Sequence, residues 1–353
     1  MASDVDSRDT ARVSEAPGRL RPALLLLLLA GIAGLAMLLQ ARGRAARRPG
    51  LTYGRPVDKA APPALAPVRA PEDLGERAMH HCRALVELGP RYFGQPGWSK
   101  QLDYILQQLS ALGIAASRDT WTDRRERITF SNVRATIKGA RPERIVLACH
   151  HDTKCTTGHP LAHQNFHFVG ANDGASGVAM LLALAPLLKA RDNPVTLDLV
   201  FFDGEESLDF DWNDDRALFG SKRFVARHLA ARSRDEEAPI VAVLLLDMVG
   251  RQDLHIQEEL YSTPALRRIC WAAAKATGHE PQFFQVAEGA KDDHVPFLAA
   301  GIPAIDLIDL KGNPYWHTEH DTLEYMSAAS MQQVADVVLT MLPAVEQAFA
   351  APR

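Results

Sequence analysis

The sequence predicts an α/β fold: a mostly parallel central sheet with helices on both faces, three layers in all, preceded by an N-terminal membrane segment. Three observations carry this reading. Two short runs, TLDLVFF at 196–202 and IVAVLLL at 240–246, are almost continuously apolar, as strands buried on both faces are. Segments of helical periodicity separate such runs along the chain. The runs also end in Asp, Glu or His, and in open parallel sheets the ligand site lies beyond the carboxyl ends of the strands.

Taken in order, helical periodicity marks 73–88 and 99–112, and β-rich runs follow at 128–137 and 144–150. A strongly apolar helix is expected over 174–188, then the strand 196–202, a helix over 216–231 and the strand 240–246. Helices at 263–277 and 294–300, a strand at 304–308 and a closing helix over 327–349 complete the body.

Ahead of this body the chain has a different composition. Of the 353 residues, 39 are Lys or Arg and 43 Asp or Glu, a formal charge of −4. Residues 1–70 hold 11 of the basic and 5 of the acidic side chains, so a basic tail precedes an acidic body. An acidic body argues against nucleic acid as a partner, because phosphate binding needs a basic surface. With 47% hydrophobic residues the chain has ample material for a core, which excludes a disordered or disulfide-dense scaffold.

The tail divides into parts. Residues 1–22 are a polar tail, and 23–40 contain ALLLLLLAGIAGLAMLL, an uncharged run just long enough to span a thin bilayer. It reads as a transmembrane anchor or a signal segment, with a buried core helix as the lesser alternative. Arginines flank it on both sides (Arg19 and Arg21 before, Arg42 and Arg44 after), so charge does not set its orientation. If the N-terminus stays inside, the body lies on the non-cytoplasmic side. Residues 41–71 are a linker rich in Pro, Ala and Arg, expected as a semi-extended spacer, and 72–353 form the folded domain. Four cysteines are too few for a disulfide framework, although Cys149 and Cys155 are close enough in sequence for one bridge.

Five segments deliver His or carboxylates to one edge of the expected sheet: His150-His151-Asp152, Asn172-Asp173, Asp203 with Glu205-Glu206, Asp247, and His317. One such residue is commonly a helix cap or turn residue. Adjacent glutamates are harder to explain without a cation between neighbouring acids. Histidine plus carboxylates without thiolates suits Zn²⁺ at a catalytic site, with one glutamate binding metal while its neighbour acts as base. Five of the 13 histidines lie in 150–167, where His159, His163 and His167 read as loop residues, and Lys154 and Arg91 as surface or local ion-pair residues.

The strings ACHHDTK (148–154), FVGANDGASG (168–177), FFDGEES (201–207), LLLDMVG (244–250), DDHVPFLAAGIPAIDLI (292–308) and WHTEHDT (316–322) resemble the zinc-exopeptidase family, with RYFGQPG (91–97) and FSNV (130–133) adding to the likeness. Within that family the chain is most similar to the animal-type glutaminyl cyclases, over roughly residues 75–350. The resemblance implies one zinc on Asp173, Glu206 and His317, an acid/base Glu205, and a hydrogen-bonded pair of Asp247 and Asp292. It implies pocket walls from Trp316 and, with one extra residue in SLDFDW, from Trp212. It departs from the family's pattern at Asp306, where a histidine is expected, at Gly312, where a phenylalanine is expected, and at Val178, which takes the place of a disulfide partner for Cys149.

The activity so implied converts the N-terminal Gln of peptides or proteins to pyroglutamate with release of ammonia. The rival is a two-zinc aminopeptidase, for which His150 and Asp247, with Asp173, could supply the second metal site. A third reading, an inactive membrane-anchored ectodomain that only binds, predicts lost ligands; here Asp173, Glu205, Glu206 and His317 are all in place.

Overall fold

The computed structural model describes residues 51–60 and 62–350. The polar tail, the apolar segment 23–40 and the start of the linker lie outside the described residues.

Six strands form the main sheet in the order β1-β2-β4-β3-β5-β8. They are β1 (Ala115–Thr122), β2 (Thr129–Ile137), β3 (Arg141–His150), β4 (Val195–Phe202), β5 (Ile240–Asp247) and β8 (Ala304–Ile308). The pairings β4–β3, β3–β5 and β5–β8 are parallel, whereas β1–β2 and β2–β4 are antiparallel. The parallel centre is where sequence places the apolar runs, and every residue of β4 is buried. A small parallel pair, β6 (Ile256–Glu259) and β7 (Phe283–Glu288), stands apart from it.

Alternate side chains of the central strands feed two cores. Ile145, Leu147, Leu197, Leu199, Leu244 and Leu246 pack with five helices: α1 (Leu74–Val86), α2 (Pro96–Ala111), α3 (Ala175–Ala190), α5 (Pro264–Thr277) and α7 (Ala328–Phe349). Val146, Ala148, Val200, Phe202 and Leu245 face the other way, toward α4 (Phe219–Arg232) and α6 (His294–Ala299). Among the described residues only α7 is long and apolar enough to cross a membrane, and 67% of its most apolar stretch is buried, as in a core helix.

Three strands escape the sequence reading. In β1 the exposed side chains dominate, so this edge strand shows no apolar run, and β6 and β7 are short. The described part of the expected spacer, 51–60 and 62–71, forms no helix or strand, yet it is bonded to the domain: Gly54 N–H donates to Leu260 O at 2.7 Å and Val57 N–H to Glu258 at 2.6 Å. Val57 and Leu65 pack against the larger core. No disulfide forms between Cys149 and Cys155; all four cysteines are free thiols. Cys149 instead points into the packing of α3, where Gly177 leaves room for it.

Candidate active site

The polar residues gather beyond the carboxyl ends of the parallel strands. β3 ends in His150, β4 leads through Asp203 to Glu205 and Glu206, and β5 ends in Asp247. Asp173 stands just before α3, Asp292 just before α6, and His317 in the loop after β8.

Asp173 ties two groups together. Its Oδ2 lies 3.4 Å from His317 Nε2, which is 3.2 Å from Glu206 Oε1. Its Oδ1 lies 3.2 Å from His150 Nε2, which is 3.0 Å from Asp247 Oδ1. In each of the sets Asp173–Glu206–His317 and His150–Asp173–Asp247, one ligand atom per residue lies within 4.8 Å of the others. The donors are nitrogen and carboxylate oxygen without sulfur, a combination suited to a borderline cation such as Zn²⁺. Burial disfavours charge on His317, yet Glu206 and Asp173 pull its pKa up to about 9. By donor type and spacing, the Asp173–Glu206–His317 set fits the metal.

Glu205 and Asp292 line the same pocket of about 520 Å³ as this cluster, together with Trp212 and Trp316. Burial, joined by the nearby Asp292 charge, pushes the Glu205 carboxyl well above its ordinary range, against an opposing pull from His150. Burial likewise raises Asp247, to about 7, although His150 counteracts it. The two indoles stay open to solvent at the pocket rim, 39% exposed for Trp212 and 44% for Trp316. Trp316 stacks on the His317 ring at 4.2 Å between centroids. Trp212 is held by its Nε1–H to Asp214 at 2.6 Å, and Asp214 is in turn 2.6 Å from Lys291 Nζ.

Several residues take supporting roles that the sequence reading did not assign to them. Asp152 accepts the backbone N–H groups of Glu205 and Glu206, one on each oxygen, at 3.2 Å. Asp321 does the same for Asn172 at 2.7 Å and Asp173 at 3.0 Å. Lys154 and Arg91, read from sequence as surface or local ion-pair residues, are both buried, and Lys154 is ion-paired with Glu206 at 3.4 Å. Lys154 Nζ donates to Ser207 O at 2.9 Å, and Arg91 clamps the loop before Asp173 through Val169 O at 2.6 Å and Gly170 O at 2.8 Å. A long cationic stem followed by a loop gives no sequence signal for inward pointing. His163 and His167 are exposed, as expected of loop residues. Gly312 has φ +76 with open space around it, and Ile308 and Leu310 line the pocket from that segment.

The model of peptidase family M28 matches residues 132–342. The chain belongs to this family. Its M28 domain is similar to the glutaminyl-peptide cyclotransferase of Drosophila melanogaster, 28% identical over 292 residues that cover 73% of this chain and 78% of that protein. A glutaminyl-peptide cyclotransferase-like protein of Mus musculus is 30% identical over 268 residues, 69% of this chain and 68% of that one. Among solved structures, the glutaminyl cyclase of an Acidobacteriales bacterium superposes on this M28 chain with a TM-score of 0.70 at 32% identity, covering 81% of this chain and 98% of that one.

Proposed function

We propose that the chain is a glutaminyl-peptide cyclotransferase that converts the N-terminal Gln of peptides or proteins to pyroglutamate. Its likeness to cyclotransferases over most of its length supports this reading, and one observation carries the chemistry. Glu205, a buried carboxyl with a raised proton affinity, lines one pocket with Asp173, Glu206 and His317, and Trp212 and Trp316 line it too.

In the reaction the substrate α-amine attacks its own side-chain amide carbon. A C–N bond closes the ring, the bond to the amide nitrogen breaks, and ammonia leaves. Zinc held by Asp173, Glu206 and His317 would supply Lewis-acid polarisation of the carbonyl. Glu205 takes a proton from the attacking amine and returns it to the departing nitrogen, a role suited to a carboxyl whose proton affinity burial and the Asp292 charge raise above its ordinary range. Asp247 and Asp292 surround that exchange with carboxyl groups that burial keeps from ionising together. Trp212 and Trp316 flank the Gln side chain and exclude water.

The test is incubation of the full chain with a Gln-initiated peptide and, separately, with an amino-acid amide. Pyroglutamate and ammonia are expected, and Glu205→Gln lowers kcat by about 10²–10⁴-fold with metal retained. The second reading, a two-metal aminopeptidase, has the His150–Asp173–Asp247 set in its favour. Release of free amino acid from the amide without pyroglutamate, with two zinc ions per chain, would establish that reading instead. Residues 23–40 support a membrane-anchored or exported enzyme with its domain on the non-cytoplasmic side.

A further inference from the structure

The segment 51–60, expected from sequence as part of a spacer, is fastened to one edge of the domain. Gly54 N–H donates to Leu260 O at 2.7 Å. Val57 N–H donates to Glu258 Oε1 at 2.6 Å, the same oxygen that accepts from Arg267 Nη1 at 2.7 Å. Arg267 Nη1 also donates to Arg55 O at 3.0 Å, and the Glu258 and Arg267 side chains are each 1% exposed. A buried ion pair loses its hydration, so it needs further hydrogen bonds to offset that loss. The segment supplies one donor to Glu258 and one acceptor to Arg267. Lys59 donates to Phe284 O and lies 4.8 Å from the centre of the Trp271 ring.

The same edge carries one wall of the pocket. Residues 289–292 follow β7 directly, and all four line the pocket. Their base is the pair β6–β7, and two strands alone are marginally stable. Leu260 accepts from Gly54 and donates its own N–H to Glu288 O at 3.2 Å, while Glu259 accepts the Ala290 N–H at 3.0 Å. Beside these bonds the Tyr53 ring meets Tyr261 edge to face, with centroids 5.4 Å apart. The two rings fill the side of Gly289 where a Cβ would stand, 2.8 Å from Tyr53 Cε2 and 2.7 Å from Tyr261 Cε2. Neither ring lines the pocket, so both support the wall from outside it. The wall in turn carries Lys291, whose ammonium holds Asp214 and, through it, Trp212.

We propose that residues 53–59 clamp the pocket wall, with the Tyr53 ring packed on Tyr261 and Gly289 so that it sets the position of 289–292. Tyr53 is a positioning residue, because it acts through the wall and does not line the pocket. The contact with Gly289 is made by ring carbons, so phenylalanine can take its place. The end of the linker is thereby part of the working domain. The kinetic part of the test rests on the cyclotransferase reading; the exchange part does not.

Turnover of a Gln-initiated peptide by the full zinc-loaded chain compares Tyr53→Ala, which empties the space beside Gly289, with Tyr53→Phe, which keeps it filled. Tyr53→Ala is expected to raise KM about fivefold with kcat within about threefold, since a displaced wall weakens substrate binding before and during reaction alike. Tyr53→Phe is expected to restore the wild-type KM. A wild-type KM in Tyr53→Ala, or equal impairment in the two variants, overturns the clamp. Amide hydrogen exchange, followed by mass spectrometry on the same full chains, needs no turnover. Exchange about fivefold faster over 284–292 in Tyr53→Ala, with β4 unchanged, supports the clamp. Unchanged exchange over 284–292 overturns it, and so does equal acceleration in β4, which marks a general loosening. Absence of pyroglutamate from the wild type removes the functional reading, while exchange over 284–292 still decides the clamp.

Discussion

Lys154 reaches Glu206 inside the domain, with its ammonium 3.4 Å from Oε2, while the other oxygen of Glu206 faces His317 at 3.2 Å. The two oxygens thus have separate partners, one cationic and fixed, the other turned to the candidate metal position. A partner behind a ligating carboxylate sets its orientation, and loss of such partners typically costs 10–100-fold in metal affinity. Lys154→Met is expected to weaken zinc binding by about tenfold, read by competition with a chelator. Unchanged affinity would remove Lys154 from the support of Glu206.

Trp212 depends on the Asp214–Lys291 pair for its place at the rim. Trp212→Ala removes a wall that contacts substrate before and during reaction alike, so KM should rise about tenfold with kcat within about threefold. Asp214→Ala should move KM in the same direction by less. A fall in kcat alone, measured over a range of peptide concentrations, would contradict a wall role.

His151 must be neutral in the folded protein. Its Nδ1 accepts from Gln101 Nε2 at 2.8 Å and its Nε2–H donates to Ser131 O at 3.0 Å. Burial lowers its pKa from 6.5 to about 4, despite the opposing pull of Asp152. The unfolded chain therefore takes up a proton that the folded one refuses. This contribution to stability is complete above pH 6.5 and falls between pH 6.5 and 4, by an amount of order 3 kcal/mol. Urea unfolding of the wild type at pH 7 and pH 5 should show the loss, and His151→Asn should flatten it. Equal slopes in both proteins would refute the assignment.

Gly177 lies where α3 meets the sheet. A Cβ there would stand 2.4 Å from Leu246 O and 2.7 Å from Cys149 Cβ, and the backbone carbonyl cannot turn aside. Gly177→Ala should destabilise the domain by about 1–3 kcal/mol, measured as a lower denaturation midpoint at unchanged m-value.

Much of the fold was legible because its signal is local. The buried runs of β4 and β5 and the helices from α3 onward fall within a few residues of their expected bounds, since burial on both faces demands apolar residues throughout. The edge strand β1 was not legible: its register with β2 rests on backbone pairing, which leaves no pattern in ASRDTWT. At the site, motifs nominated Asp173, Glu205, Glu206, Asp247, Asp292 and His317, and all of them reach one edge of the sheet. Asp152, Asp321 and Arg91 were missed as supports, because each works on backbone groups whose positions exist only after folding.

By itself, then, the sequence determined the alternation of strands and helices and the presence of an acid- and histidine-rich edge, because hydrophobic period and residue chemistry are properties of the chain. Only the tertiary structure decided that Asp173 turns one oxygen to His317 and the other to His150, and that Lys154 points inward to Glu206. Those relations join residues far apart in sequence, and the dry interior that gives them their electrostatic weight forms only when the layers close.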